Sequence, residues 1–314
     1  VHDLVRDVAV GRAPRIVGDR EAVDRAAALL ARAERPLLVA GDAVAHGDAL
    51  AELAELAELV GAPVVIEGVP STCSFPSTHP LYAGALPRLA PQTRAMLMRH
   101  DLLFSVGGDL FTLSLPSDVD PMPPDITVVH LDVNPWEPGK NYPAAVAIQG
   151  DPKATLPDLC EAVRRHTGGK GHPDAAKRRE AVRATMERER ADLARRAEAE
   201  AAQVPMPALS LVLALAKSAP ANVTLVEEAI SSVAGIRHFF RCADPKSVFG
   251  LRGGVIGWGL PAALGVKLAL PDRPVLALIG DGSAMYTNQA LWTAARESLA
   301  VVYVIFNNAS YRIL

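Results

Sequence analysis

The stretch GDGSAMYTNQALWTAARESLAVVYVIFNN, residues 280–308, decides the fold of the last third of the chain. An apolar run, VLALIG (275–280), leads into it, and a second run, VVYVIF (301–306), lies near its end. Twenty-four residues separate Gly282 from Asn307, which is enough for one turn, one helix and one further strand. Short buried strands that alternate with helices form parallel sheets covered on both faces. The stretch therefore predicts two neighbouring parallel strands joined by one helix.

A polar residue follows each of these predicted strands. Asp281 comes directly after the first strand and Asn308 after the second. The carboxyl ends of parallel strands lie at one edge of the sheet, where α/β proteins bind their ligands. One carboxylate oxygen and one amide oxygen suit Mg²⁺, which usually completes its shell with water and phosphate oxygens. We therefore predict a magnesium and phosphate site at this edge.

Three small residues around Asp281 fit the phosphate part of such a site. Gly280 and Gly282 let the backbone come close to a ligand. Ser283 begins the following helical stretch, where its hydroxyl and the free N–H groups suit a phosphate. Asp-Gly and Asn-Asn are also common in ordinary turns, and the spacing between them is what favours a binding site.

Alternating helix-like and strand-like runs extend along most of the chain. They predict an α/β fold class with two doubly wound parallel-sheet domains. The stretch 70–89, rich in Pro and Ser, is predicted as a loop. We divide the chain into the end of an interdomain linker (1–13), a middle α/β domain (14–167), a charged helical linker (168–203) and a second α/β domain (204–314) that we expect to be C-terminally incomplete.

Composition argues against several functional classes. The net charge is −3, and the acidic and basic residues of 168–203 are interleaved, which is typical of a solvated helix. We therefore expect no nucleic-acid partner, and without a long apolar run no membrane partner. Three widely spaced cysteines predict neither a disulfide framework nor a metal knuckle, and indicate a cytoplasmic protein.

Long segments of the chain resemble the thiamine-diphosphate (ThDP) enzymes, in particular benzoylformate decarboxylase and its acetolactate-synthase-like relatives. The segments EEAISS (227–232), the 46 residues from Arg252 to Glu297, and VIFNNASY (304–311) resemble their diphosphate-binding domain. The segment VVHLDVNPWEPGKNYPAAVAIQGDPKATL (128–156) resembles their middle domain. The resemblance covers nearly the whole chain.

This resemblance implies roles for particular residues. Mg²⁺ would be bound by side-chain oxygens of Asp281 and Asn308 and by the backbone carbonyl of Ser310. ThDP would contact Ser283 and Tyr286 at its diphosphate, Ser231 and the backbone at Ile230 from another strand end, the Gly254 carbonyl at its 4′-amino group, and Ile256 as the wedge beneath its bent shape.

Two departures from the family pattern affect these expectations. Ile230 stands where a hydroxyl residue is often found, so that diphosphate contact would come from the backbone alone. The stretch SVGGDLFTLSLP (105–116) contains no arginine, whereas flavin-carrying acetolactate synthases have an arginine- and aspartate-rich stretch there. FAD is therefore not expected.

The resemblance implies a fragment of a ThDP- and Mg²⁺-dependent 2-oxo acid decarboxylase, with an acetolactate-synthase-like carboligase as the alternative. In the family, the activating glutamate belongs to an N-terminal pyrimidine domain and serves the partner subunit's cofactor. We find no such domain among these 314 residues, and so expect no catalytic residue in the chain, no activity from the chain alone, and a homo-oligomer (dimer or tetramer) for the intact enzyme.

Two other interpretations remain open. The pyrimidine domain could be encoded on a separate chain, which would make this a natural subunit of a split enzyme. The other is a protein of another class, a non-catalytic dinucleotide-binding protein, because LLVAGDAVAHG (37–47) and LLFSVGGD (102–109) in the first domain would suit a dinucleotide-binding sheet. The absence of a Gly-x-Gly-x-x-Gly pattern argues against that third possibility.

Overall fold

The computed structural model describes residues 14–232 and 235–310. The predicted linker 1–13 and the last residues of the predicted second domain, 311–314, lie outside the described residues. Within the described ranges no helix combines the length and the apolar character that crossing a membrane requires. The two predicted parallel sheets are both present.

The first sheet has six parallel strands in the order β3-β2-β1-β4-β5-β6. Its strands are β1 (Pro36–Ala40), β2 (Val64–Ile66), β3 (Tyr82–Ala85), β4 (Leu102–Val106), β5 (Thr127–Asp132) and β6 (Val146–Gln149). The helices of this part are α1 (Arg20–Arg32), α2 (Asp42–His46), α3 (Leu50–Val60), α4 (Ala90–Leu97) and α5 (Pro152–His166).

Both faces of this sheet are covered, as continuous apolar strands require. Every residue of β1 is buried. Leu38 and Ala40 belong to the core cluster formed with α1, α3 and α5, whereas Leu37 and Val39 belong to a cluster on the opposite face. The side chain of Asp19 caps α1 by accepting a hydrogen bond from the backbone N–H of Ala22 at 2.9 Å.

A long polar helix, α6 (Ala175–Ala199), connects the two sheets in sequence. Ala197 is its one buried residue, and ion pairs such as Arg183–Glu187 run along its surface. Such a helix is stabilised by pairs of opposite charge three or four residues apart. It lies within the segment predicted as a charged helical linker.

The second sheet has four parallel strands in the order β10-β9-β7-β8. Its strands are β7 (Thr224–Glu228), β8 (Val248–Gly250), β9 (Val275–Gly280) and β10 (Val301–Phe306). Its helices are α7 (Ala208–Ser218), α8 (Ile236–Phe239), α9 (Gly259–Ala269), α10 (Asp281–Tyr286) and α11 (Ala290–Arg296).

The predicted loop 70–89 differs from the expectation in two ways. It contains strand β3, and its first part joins the two sheets. Thr72 forms an antiparallel bridge with Phe249 of β8, and the N–H of Gly250 donates to the carbonyl of Ser71 at 3.0 Å. Further along, the N–H of Ser77 donates to the carbonyl of Cys242 at 2.8 Å. The segment 71–77 therefore satisfies backbone groups of the second domain, which composition alone does not reveal.

Candidate functional site

The two strands that carry Asp281 and Asn308 are direct neighbours. β9 and β10 pair in parallel, with Phe306 opposite Gly280 at their carboxyl ends. Asp281 is the first residue of α10, directly after β9, and Asn308 follows β10 by two residues. The predicted adjacency of these strands is confirmed, and both side chains leave the same edge of the sheet.

A cavity lies at this edge, where β7, β9 and β10 end. It brings together most of the residues singled out from the sequence, which are Ile230, Ser231, Ile256, Gly280, Asp281, Gly282, Ser283, Asn308 and Ser310. Glu228, Ala229, Ser232 and Phe306 complete its lining. The residues come from four separate segments of the chain, so the sheet edge assembles the site.

The oxygen donors in this cavity fit a hard cation. The Asp281 carboxylate is half-buried and has no hydrogen-bond or ion-pair partner among residues 14–232 and 235–310. The side-chain amide of Asn308 donates to Ser231 Oγ at 3.3 Å, and its oxygen accepts from the N–H of Ser310 at 3.0 Å. A carboxylate that is unpaired and partly removed from water calls for a cation.

The composition of this donor set indicates which kind of cation. Over the described part of the chain no group of three or more His, Cys, Asp or Glu side chains is arranged to hold a metal. A cation at Asp281 would therefore take most of its ligands from neutral oxygens, from water and from a bound anion. That is the mode in which Mg²⁺ binds with phosphate groups, so the residues present fit the predicted metal.

The glycines beside Asp281 leave space on the cavity side of the backbone. A Cβ added at Gly282 would meet no protein atom within 4 Å, and one at Gly280 would come no closer than 3.6 Å to the Glu228 carbonyl. Gly280 has an ordinary φ of −70°, so what glycine provides there is room for a ligand. The buried Ser283 hydroxyl donates weakly to that same carbonyl, at 3.5 Å.

Glu228 organises the neighbouring loop, a role that was not predicted from the sequence. It ends β7 and is 2% exposed. Its carboxylate accepts hydrogen bonds from the backbone N–H groups of Gly257 at 2.7 Å, Trp258 at 3.1 Å and Gly259 at 2.6 Å. It thus satisfies free N–H groups at the start of α9 and holds Ile256 beside the cavity. The sequence signal for this role was the position of a charged residue at the end of a buried strand.

Arg252 fastens the other end of this loop to the first domain. Its guanidinium donates to Asp42 Oδ2 at 2.7 Å, to Glu67 Oε2 at 2.8 Å and to Asp109 Oδ1 at 2.9 Å. These carboxylates follow the carboxyl ends of β1, β2 and β4. A Cβ at Gly108 would lie 2.4 Å from Glu67 Oε1, so that glycine admits the carboxylate.

Burial changes the pKa values of carboxylates at the carboxyl-terminal edge of the first sheet, which we call the acidic edge. It raises the pKa of Glu67 to about 7, although the hydrogen bond and the charge of Arg252 act in the opposite direction. Burial likewise raises the pKa of Asp132, at the end of β5, to about 6. The carboxylates in turn raise the pKa of Arg252 despite the cost of its own burial. The loop that carries Gly254 and Ile256 is therefore held at both ends by charged hydrogen bonds.

Two of the predicted cofactor residues lie outside the lining of this cavity. Gly254 has a left-handed backbone, with a φ of +71°, and lines an adjoining cleft between the domains. That cleft shares Glu228, Ala229 and Ile230 with the cavity. Tyr286 ends α10 with 63% of its surface exposed, and its Cβ packs against Gly257. Their proposed contacts with a cofactor stay predictions.

Two family models match the chain. The model described as "Thiamine pyrophosphate enzyme, central domain" matches residues 23–159. The model described as "Thiamine pyrophosphate enzyme, C-terminal TPP binding domain" matches residues 230–314. The first range covers the six-stranded sheet, and the second contains most of the residues that line the cavity at the ends of β9 and β10.

Individual proteins give the same result. Benzoylformate decarboxylase of Pseudomonas aeruginosa is 32% identical over 282 residues, covering 90% of this chain and 50% of that protein. Acetolactate synthase of Mycobacterium bovis is 32% identical over 293 residues, covering 92% and 46%. The crystal structure of benzoylformate decarboxylase from Polynucleobacter necessarius superposes with a TM-score of 0.79 at 25% identity, over 98% of this chain and 55% of that one. The chain spans about half the length of the curated relatives it matches.

Proposed function

This chain belongs to the family of thiamine pyrophosphate enzymes, and we propose that it forms the diphosphate- and metal-binding part of a 2-oxo acid decarboxylase. One observation carries the proposal. The half-buried carboxylate of Asp281, which has no partner among the described residues 14–232 and 235–310, lies beside the amide of Asn308 at the ends of two neighbouring parallel strands, with open glycine backbone next to it. This is a surface for an anion that brings its own cation.

Each residue of the cavity has a part in this proposal. Asp281, Asn308 and the carbonyl of Ser310 would hold Mg²⁺. Ser283 and Ser231 would donate to the diphosphate, and Ile256 would support the rings. When bound, thiamine diphosphate supplies the carbon that adds to the 2-oxo group and takes up the electrons left by departing CO₂. The chain's own work is to hold the cation that would neutralise the diphosphate and to keep the Gly254–Ile256 loop in place.

We further propose that the activating carboxylate comes from a pyrimidine domain outside these 314 residues, supplied by a partner subunit in a homo-oligomer. The chain alone would then be inactive. Benzoylformate decarboxylase and acetolactate synthase are both relatives, so the carboligase alternative stays open. It differs from our proposal in the last step: after CO₂ has left, the remaining carbon would add to a second carbonyl compound instead of taking up a proton. We favour the decarboxylase because the acidic edge around Arg252 disfavours a flavin diphosphate in the first domain.

The same edge disfavours the dinucleotide-binding alternative. The diphosphate of a nucleotide would meet the carboxylates that already surround the Arg252 guanidinium. Two ion pairs there join buried carboxylates, Asp42 and Glu67, to Arg252. Displacing Arg252 would remove the cationic partner of the buried Asp42 carboxylate, and breaking such a buried pair costs on the order of 3–5 kcal/mol.

Titration calorimetry tests the proposal. We expect Mg²⁺-dependent binding of thiamine diphosphate, and no binding of NAD. Asp281→Ala should weaken cofactor binding by more than about 100-fold, because it removes the charged metal ligand. Asn308→Ala removes a neutral ligand and should cost about tenfold. Asp272→Ala, at an exposed aspartate before β9, is the matched control and should bind as the wild type does. Equal binding by Asp281→Ala and Asp272→Ala would remove the site assignment.

A further inference from the structure

The cleft between the two domains adjoins the diphosphate cavity and is lined from both sides. The first domain contributes Gly68–Pro70, Arg88 and Thr112–Ser114, and the second contributes Glu227–Ile230 and Leu251–Gly254. It encloses about 350 Å³. Since Gly254 and Ile230 belong to it, the reactive end of a cofactor held at Asp281 would face this space. The following inference rests on the proposed function.

Nearly every charge in the lining of this cleft is compensated within the protein. Arg252 is paired with three carboxylates. Glu227 is paired with Arg237 at 2.9 Å, and the carboxylate of Glu228 accepts three backbone N–H groups. Arg88 is the exception. Its guanidinium makes no hydrogen bond or ion pair with any residue in 14–232 or 235–310.

Local contacts direct Arg88 into the cleft. A Cβ added at Gly68 would lie 3.2 Å from the Arg88 Cγ, so the stem of the arginine passes close over that glycine. The carbonyl of Arg88 accepts from the N–H of Ser114 at 2.9 Å, which fixes the two residues side by side. The hydroxyls of Thr112 and Ser114 have no hydrogen-bond partner in the described part of the chain. The guanidinium of Arg88 and these two hydroxyl groups thus line the cleft together with the apolar residues Leu113 and Leu251.

The chemistry of decarboxylation decides which anion suits this cation. The carboxylate that leaves as CO₂ loses its charge in the reaction. A guanidinium bound to that carboxylate would stabilise the substrate more than the transition state and would slow the reaction. A second anionic group keeps its charge throughout, so binding it lowers the free energy of substrate and transition state alike. Arg88 therefore suits the remote end of the substrate.

We propose that Arg88 is a specificity-determining residue that binds a carboxylate, or a comparable anion, at the end of the 2-oxo acid remote from the reacting carbonyl. Thr112 and Ser114 would donate further hydrogen bonds to the same group. The substrate class is then a 2-oxo acid with a second negative charge, joined by an apolar spacer that packs against Leu113 and Leu251.

Two matched pairs of acids test this on the 314-residue chain. 2-Oxoadipate and 2-oxohexanoate differ in a terminal carboxylate against a methyl group, as do 2-oxoglutarate and 2-oxopentanoate. Dissociation constants are measured by ligand-observed NMR, with and without thiamine diphosphate and Mg²⁺. We expect the wild type to prefer the diacid of at least one pair, and Arg88→Gln to lower that preference by about 10- to 100-fold. Arg88→Lys should retain part of it.

Arg20→Gln provides the control, because Arg20 is likewise exposed but lies on α1. It should leave the preference unchanged, and salt should weaken the wild-type preference as expected for a partly exposed ion pair. A preference that is absent, or that survives Arg88→Gln, would overturn the inference. Selective diacid binding without any binding of thiamine diphosphate would instead sink the proposed function and leave the role of Arg88 standing.

Discussion

Replacing Glu228 by glutamine should destabilise the second domain by about 2–4 kcal/mol. The carboxylate is 2% exposed and accepts three backbone N–H groups at 2.6–3.1 Å. Hydrogen bonds to a charged group contribute about 1.5–3 kcal/mol each, and a buried donor left without an acceptor costs about 1–3 kcal/mol. Glutamine keeps one acceptor oxygen and places an NH₂ group against the N–H of Gly257 or Gly259. At least one strong bond is therefore exchanged for a contact between two donors.

Tryptophan fluorescence during urea unfolding can measure this change. Of the three tryptophans, Trp258 donates its backbone N–H to Glu228, whereas Trp136 and Trp292 are exposed and can be replaced by phenylalanine. In that background Trp258 reports on the second domain alone, which matters because two domains need not unfold together. The free energy of unfolding follows from linear extrapolation.

A surface variant provides the comparison for Glu228→Gln. The side chain of Glu297 is 60% exposed, and its carboxylate lies 3.7 Å from Arg296 Nε. Glu297→Gln should change stability by less than about 0.5 kcal/mol. Because Glu228 also holds the loop beside Ile256, Glu228→Gln should weaken thiamine diphosphate binding, and Glu297→Gln should not. If both variants unfold at the urea concentration of the wild type, the assignment of Glu228 as the anchor of this loop is refuted.

Three further predictions concern protonation, flavin and catalysis. Burial raises the pKa of Glu67 from 4.5 to about 7, so the native state favours the protonated form. The resulting stabilisation is complete below pH 4.5 and is lost as the pH rises through 7. Glu67→Gln should gain about 3 kcal/mol of unfolding free energy relative to the wild type between pH 4.5 and 8, and parallel pH profiles would contradict this. The purified protein should show no flavin absorption band, and a yellow preparation would refute the reasoning about the acidic edge. The chain alone, with thiamine diphosphate and Mg²⁺, should not accelerate H/D exchange at the cofactor C2 or release CO₂ from pyruvate or benzoylformate; acceleration would place the base within these residues.

The long elements of the fold could be predicted from the sequence, whereas the short ones could not. β1 and β9 are uninterrupted apolar runs of five and six residues that must be buried on both faces. β8 has three residues and β3 has four, too few to show a period. β8 exists because β7 pairs with it on one side and the segment at Ser71 and Thr72 supports it on the other. Such strands depend on tertiary contacts that no local window contains.

Some residues of the candidate site could likewise be predicted from local sequence, whereas others depend on tertiary contacts. Asp281 and Asn308 could be found because each lies within two residues of the end of a recognisable strand, and the topology of parallel sheets places strand ends together. The cluster around Arg252 could not, because its partners Asp42, Glu67 and Asp109 lie 210, 185 and 143 residues away in sequence. Nothing in the local pattern distinguishes Arg252 from an exposed arginine. Only the packing of the two domains brings its charge to those carboxylates.

The two sheets belong to the same fold class, but the edge where ligands bind is accessible in the second domain and filled by protein in the first. In each sheet the strand order reverses at one point, between β1 and β4 in the first and between β7 and β9 in the second, and such a point is where ligands bind. In the first sheet, Gly41 and Gly107 pack so closely there that a Cβ on Gly41 would lie 2.2 Å from the Gly107 carbonyl.

Charge then reinforces the difference between the two points. Arg252 and its carboxylates occupy the edge of the first sheet, where an incoming diphosphate would meet negative charge. In the second sheet, the backbone at Gly280 and Gly282 stays open, and the Asp281 carboxylate pairs with no cationic side chain among residues 14–232 and 235–310. In the proposed function, a diphosphate that carries Mg²⁺ would supply that cation, so we expect the complementarity between site and ligand in the second domain rather than in the first. Arg252 occupies the edge of the first sheet near the reversal of strand order between β1 and β4. The same residue anchors the loop beside the cavity of the second sheet, so one set of ion pairs blocks a ligand site in the first domain and helps to form the site in the second.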